Sequence, residues 1–321
     1  YYDIKKLQRK SSILHREFTF DIVHCRSYIT GIVGQYLKAK FAVKFLFDIR
    51  GFWVDERVDG GLWDLSNPIY RLVFKYFKSK EKSLFSDADG IVALTKASKN
   101  FILDSFNPQA IIQVIPCAAD LTLFVQQKDE IKAKHRKLLG IGGEYVLMYL
   151  GSLGTWYMLA EMLEFFKVLK QVKPNSKFLF ITTDRPESIE LIANEKGIDA
   201  KDIIVRKVDR HEVPGYISIT DMSIFFIKPC FSKMASSPTK HGELLSCGLP
   251  AVCNDIGDLK SIVEGGGSGV VIDDFTNSSY RKAIAEYQIG FNENHLRSIA
   301  EEHYSLKKGV SSYGRMYENL A

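Results

Sequence analysis

Cysteine is sparse and shows no ligand pattern: Cys25, Cys117, Cys230, Cys247 and Cys253 stand without a CxxC pair and without histidine at zinc-ligand spacing. This argues against a structural zinc. The apolar neighbours of each cysteine predict small buried hydrophobic side chains in a reducing compartment. No run approaches the ~18 uninterrupted apolar residues that a membrane-spanning helix requires. Neither GxGxxG nor GxxxxGK[ST] occurs, so dinucleotide and P-loop chemistry have no support. A strong excess of one charge is missing too. Lys+Arg number 43 against 38 Asp+Glu, and a net charge of +5 admits anionic ligands without pointing to nucleic acid. The opening YYDIKKLQRKSS has neither an initiator Met nor an apolar signal core, which leads us to expect a chain that begins partway into its first domain.

What is present is an ordinary globular composition, 46% hydrophobic and 25% charged, over 321 residues, enough for two domains of ~150 residues. From residue 145 onward, short apolar runs alternate with amphipathic stretches, the rhythm of parallel strands and crossover helices. Strands are expected over 145–150, 178–182, 203–205, 222–227, 251–253 and 270–272. Leu159, Met162, Leu163, Phe166 and Leu169 recur at helical spacing after the first of them. A helix is expected over 186–196, and Asp209 with Glu212 forms a DxxE capping pattern before a short helix. GGGSG at 265–269 leads into a strand and reads as a turn. The first 120 residues show the same grammar with fewer units: strands over 20–24, 41–47, 91–94 and 111–115, and a helix over 31–38. The fold class is therefore α/β, with two Rossmann-like, doubly wound parallel-sheet domains facing a cleft, the first incomplete. We place the first domain at 1–125, the second at 126–304 and a closing helix at 305–321.

The strongest chemical signal is SSPTKHGELLSCGLP, which follows the fourth strand of the second domain. Ser237 is placed as a helix N-cap, Pro238 as the first helical residue, and Gly248 with Pro250 as the stop. A helix starting at the carboxyl end of a parallel strand presents free N–H groups and a dipole to an anion, and Lys240 adds a full charge. Glu243, three residues on, shares its face and can accept bonds from ribose hydroxyls. The competing reading is a capped helix with a surface Lys–Glu pair. The second signal is GSLGTW, in which Gly151 and Gly154 permit close backbone approach and a following helix start offers a second anion site. In the first domain, HCRSY and DIRGFWVDER place His24, Arg26, Asp48 and Arg50 at carboxyl strand ends, suited to orient a sugar hydroxyl or steady a phosphate. The alternative there is a buried ion pair of Asp48 with Arg50 or Arg26. Trp53 offers a surface for a sugar face or simply packs. The stretch 70–85 is a basic amphipathic helix, read either as core-facing with a solvated lysine face or as resting on an anionic membrane.

Taken together, SSPTKHGELLSCGLPAV, YLGSLGTWY, IPCAADLTLF, HCRSY and DIRGFW make nearly the whole chain resemble bacterial glycosyltransferases of the GT-B, family-four type. The resemblance implies a nucleotide-diphosphate sugar bound mainly by the second domain and a glycan or lipid-linked acceptor entering from the first. It also implies retention of anomeric configuration, with no bound metal, no cofactor beyond the donor and no nucleic-acid partner. Glu243 matches the second glutamate of the EX7E motif; the first falls on Ala235. The Arg and Lys pair expected after the first strand of the donor domain is replaced by GSLGTWYM. By the same resemblance Lys240, with Ser236, Ser237, Thr239 and the backbone of Gly151, Ser152, Gly154 and Thr155, takes over the diphosphate. Arg206 and Val208 match the base-binding strand end, and Asp120 the end of the domain-boundary motif. His24 and Arg26 join Lys240 as catalytic candidates, and Asp48, Arg50 and Trp53 stand on the acceptor side. The implied role is hexosyl transfer in cell-surface polysaccharide or glycolipid synthesis, in the cytoplasm or at the inner face of the membrane. A nucleotide-sugar epimerase and a noncatalytic sugar-nucleotide-binding subunit are the alternatives, the second raised by Ala235 and the missing pair.

Overall fold

The computed structural model describes residues 2–321; Tyr1, the first residue of the expected first domain, lies outside them. The protein is α/β, and its chain divides into two compact units. The first unit comprises the chain up to Cys117, together with Cys230–Ser237 and Lys307–Ala321; the second is Ala118–Pro229 and Pro238–Leu306. The segment 230–237, which falls inside the sequence-based second domain, thus belongs to the first unit, and so does most of the C-terminal helix Leu306–Leu320.

In the first unit, strands β1 (Ile22–Arg26), β2 (Lys44–Asp48), β3 (Gly90–Ala93) and β4 (Ile111–Val114) form a parallel sheet in the order β1-β2-β3-β4. β1 begins two residues later than expected because an unforeseen helix, Tyr2–Phe18, precedes it and closes at Thr19, φ +50°. β2 also begins late. The helix Ser27–Phe41 outruns its expected end and stops at Ala42 in the left-handed region. Phe45, Phe47, Leu84 and Phe85 fill the core on one side; Met316 and Leu320 of the C-terminal helix join Leu46, Val92 and Ile115 in another cluster. Segment 230–237 is pinned within this unit, where Lys233 pairs with Glu56 at 2.8 Å and the Ser232 N–H donates to Asp59 at 2.9 Å.

The second unit carries β5 (Tyr145–Leu150), β6 (Ser176–Ile181), β7 (Ile203–Arg206), β8 (Met222–Phe225), β9 (Ala251–Asn254) and β10 (Gly269–Ile272), all parallel. Their order is β10-β9-β8-β5-β6-β7. β5 is buried on both faces, which is why YVLMYL is continuously apolar and does not alternate. From β5 the chain winds outward through β6 and β7, then returns to β8 and winds the other way. The switch point of the sheet therefore lies between β5 and β8, where open α/β sheets bind ligands beyond the carboxyl ends of their strands.

The helix after β8 runs Thr239–Ser246, one residue later than expected, with Pro238 as its N-cap and no side-chain cap. Ser237 does not cap it, because its hydroxyl accepts the Cys117 N–H at 3.2 Å within the first unit. Its position is set by close packing. A Cβ on Gly242 would lie 2.5 Å from Tyr304, while the His241 ring bonds the Tyr304 hydroxyl at 2.8 Å. The DxxE pattern is half realised: Glu212 accepts the Asp209 N–H at 3.2 Å, but the helix starts only at Val213. All five cysteines are free, and only Cys25 and Cys253 are fully buried; the other three sit half-buried on loops or at a helix end, where one side meets solvent.

Candidate functional site

The loop after β5 and the helix after β8 meet at the switch point. Gly151 has φ +106°, a conformation side chains rarely adopt, and a Cβ there would lie 3.1 Å from the Lys240 Nζ. The two strongest sequence signals are thus one place in the fold. Asp184, on the turn after β6, fixes the loop by accepting the Leu153 N–H and the Thr182 hydroxyl, both at 2.6 Å. Ser152, Gly154 and Thr155 are exposed beside it. The expected helix start next to GSLG is absent. The chain instead runs on to Leu159, because the Met158 and Lys228 N–H groups bond Phe226 and Trp156 carbonyls and tie the loop to the end of β8.

Lys240 is 9% exposed. Its Nζ donates to the Tyr149 hydroxyl at 2.9 Å and lies 4.1 Å and 3.5 Å from the ring centroids of Tyr149 and Tyr157. No carboxylate of the described residues comes within ion-pair distance of it. Burial holds its amine well below the usual lysine range, with Glu243 and Asp184 pulling the other way. The surface Lys–Glu pair is therefore ruled out as the state of this helix. Glu243 is 5% exposed, and its Oε1 accepts from Arg210 Nη2 at 2.6 Å. The Arg210 side chain is 59% exposed, and its guanidinium lies 5.0 Å from the Phe124 ring centroid. A buried carboxylate held by one exposed, solvated cation can exchange that partner for another donor.

Arg206 ends β7, exposed, with its Nη1 turned back to the Val205 carbonyl at 2.9 Å, and Val208 packs at the edge of the core. Ser236 and Ser237 belong to the first unit, and Thr239 opens the helix. Asp120 uses one carboxylate oxygen to accept from the Thr122 hydroxyl and the Thr122 and Leu123 N–H groups. Asp209, His211 and Glu212, all exposed, are the one group of described residues with three metal-capable atoms within 4.8 Å of one another. Tyr149, Tyr157, Asp184 and Arg210 were not singled out from sequence. A tyrosine in a fully buried strand was the available signal, since its hydroxyl must find a partner there.

In the first unit the Asp48–arginine pair that stood as the alternative does not form. Asp48 Oδ2 accepts from the Tyr313 hydroxyl at 2.9 Å and lies 3.6 Å from His24 Nε2, while Oδ1 is buried without a partner. His24 Nδ1 bonds the Tyr317 hydroxyl at 2.8 Å. The tyrosines of the C-terminal helix displaced the arginines. Arg50, at φ +59°, points Nη2 at the Cys117 sulfur, 3.2 Å away, and Arg26 ends β1, exposed. Trp53 is no open platform: it packs against Tyr28, Trp63 and Phe77, and Arg57 covers its ring at 5.0 Å.

Residues 130–295 match the family model described as glycosyl transferases group 1, and residues 2–123 the one described as glycosyltransferase family 4. An uncharacterized glycosyltransferase of Methanocaldococcus jannaschii is 23% identical over 261 residues, 78% of this chain and 63% of that protein. The chain thus spans less than two thirds of that relative's length. D-inositol 3-phosphate glycosyltransferase of Corynebacterium jeikeium is 20% identical over 320 residues, 94% of this chain and 73% of the relative. Among solved structures, sucrose-phosphate synthase of Thermosynechococcus elongatus superposes with a TM-score of 0.76 at 15% identity, covering 99% of this chain and 78% of that one. Anabaena HepE, solved with UDP-glucose, gives 0.72 at 14% identity, covering 98% and 82%. Both share the GT-B fold.

Proposed function

The chain belongs to the group 1 glycosyltransferases, and from that premise we propose that it moves a sugar from a nucleotide-diphosphate donor to a hydroxyl acceptor, using Lys240 and not a bound metal to meet the leaving diphosphate. One observation carries this reading: Lys240, buried and without a carboxylate within ion-pair distance, stands against Gly151 at the switch point of the second unit. A cation so placed favours an arriving anion, and the charge that develops on a departing diphosphate strengthens the attraction, which is where catalysis gains most. Glu243, one turn along the same helix, would exchange Arg210 for the vicinal hydroxyls of the ribose. Arg206 and Val208, at and just beyond the end of β7, are assigned to the base. In the transfer the bond from the anomeric carbon to the phosphate oxygen breaks. A bond to the acceptor oxygen forms on the same face, and the acceptor proton passes to the departing phosphate. Arg26 and Arg50 are the first-unit side chains we assign to the acceptor. His24, Asp48 and Trp53 are held by partners of their own unit and support it.

The test is turnover. Purified protein is offered a panel of nucleotide sugars with and without glycan or lipid-linked acceptors, and transfer or slow donor hydrolysis is expected. Epimerised donor without transfer, or calorimetry showing unchanged nucleoside diphosphate affinity in Glu243→Ala, overturns the assignment.

We further propose that the acceptor is membrane-bound, in keeping with polysaccharide or glycolipid synthesis. On the helix Pro68–Asp87, Ile69 and Leu72 are 70% and 71% exposed and Tyr76 43%, a stripe at helical spacing flanked by exposed Arg71, Lys75 and Lys82. No described helix is long and apolar enough to cross a membrane. Co-sedimentation with phosphatidylglycerol vesicles, lost in Leu72→Asp and absent with phosphatidylcholine, is the expected outcome.

A further inference from the structure

A phosphate-binding lysine on a surface keeps its charge hydrated; Lys240 does not. Its amine sits between the faces of Tyr149 and Tyr157, with the Tyr149 hydroxyl as its one hydrogen-bond acceptor among the described residues. That hydroxyl in turn donates to the Ser152 carbonyl at 2.8 Å, so a single side chain ties the lysine to the glycine loop. We propose that Tyr149 and Tyr157 are positioning residues that store the Lys240 amine in a desolvated box beside Gly151, from which an arriving diphosphate draws it together with a proton from solvent. The inference rests on the donor-site reading for the identity of the anion alone.

Two ring faces stabilise an ammonium by less than it loses on leaving water. The groups that face the amine are Tyr149 on β5, Tyr157 on the following loop, Asp184 after β6, and Glu243 on its own helix. Glu243 is paired with Arg210 and Asp184 is held by loop donors, so both carboxylates act on the amine from a distance and only partly offset its burial. Burial keeps the Tyr149 hydroxyl protonated far above neutrality, so of the bonded pair it is the lysine that changes charge, well below the usual lysine range. The diphosphate favours the ammonium form, and binding therefore raises the lysine's affinity for a proton. The sign follows: binding takes up a proton wherever the free amine is neutral, and affinity falls as pH rises through that range.

The first measurement needs no ligand. In protein labelled at the lysine 13Cε, one resonance should titrate at least one pH unit below the others, which lie near ~10.4, and should vanish in Lys240→Met. Tyr157→Leu, which keeps bulk and removes the ring face, should move that midpoint further down. Tyr157→Ser, which admits water, should move it up toward the rest. The second measurement uses uridine diphosphate above neutrality and below the ordinary lysine range, through the midpoint that the first measurement finds, where a phosphate with a second pKa of about 6 is ionised. His241, pushed down to about 3 by burial, stays silent there. Affinity should fall by up to about tenfold per pH unit, calorimetry in two buffers should show uptake approaching one proton, and both effects should be absent in Lys240→Met. A Lys240 that titrates with the other lysines overturns the proposal. Uridine diphosphate binding with pH-independent affinity also overturns it, and leaves the donor site standing. A low-titrating Lys240 in a protein that binds no nucleoside diphosphate overturns the donor reading and the recruitment step together.

Discussion

The carboxyl ends of the two sheets carry similar residue types in opposite states. In the first unit, His24 and Asp48 are joined by Tyr317 and Tyr313 of the C-terminal helix, and a single carboxylate oxygen is left over. In the second, Lys240 is buried with one hydroxyl and two ring faces, and Glu243 is held by one solvated arginine. Burying a polar group costs free energy unless its partners come with it. A cluster that satisfies itself is stable as it stands, whereas an under-partnered one is stabilised by what binds to it. The difference separates scaffolding from site where residue type does not.

The comparison breaks first at Lys240. Lys240→Met should lower donor turnover about 100-fold or more while the melting temperature holds or rises, because a buried amine with little polar company has gone. A fall in both would make Lys240 scaffolding. Glu243→Ala should weaken nucleoside diphosphate binding by about 2 kcal/mol, close to thirtyfold by calorimetry; Arg210→Ala frees the carboxylate and should change affinity by less.

His241 sharpens the contrast inside the second unit, as a fully buried group on the same helix that must stay neutral. Burial, helped by His303, lowers its pKa from 6.5 to about 3. The unfolded chain then binds the proton that the folded chain refuses, so stability is lost as pH falls from 6.5 toward 3, by up to about 1.4 kcal/mol per unit. Denaturant titrations at pH 7 and 5 should show this slope, and His241→Gln should flatten it. The smallest effect is expected in the first unit. Tyr313→Phe removes the bond to Asp48 and should cost about 1 kcal/mol in urea titration, with no change in nucleoside diphosphate affinity. A loss of affinity would bring that cluster into the site.

The second unit was the more legible in sequence. Its central strands β5, β6 and β8 stand out because they are buried on both faces and read as apolar runs between polar helices. The helix Tyr2–Phe18 escaped notice because charged and polar residues interrupt its few apolar ones. Lys240 and Glu243 were legible as a pair on one helix face, but their partners were not: Tyr149 is 91 residues from Lys240, and Arg210 is 33 from Glu243. Likewise, the reading that set Asp48 beside Arg50 could not see Tyr313, 265 residues away.

By itself the sequence determined the α/β class, the course of most strands and which residues lie along one helix face, since periodicity and turn chemistry are local properties of the chain. Only the tertiary structure decided that Gly151 and Lys240 share a point, that the lysine lies between aromatic faces out of water, and that the first-unit aspartate is claimed by Tyr313. Those outcomes depend on which distant segments the sheet order brings together, and on the loss of hydration there, and neither is written in the spacing of neighbouring residues.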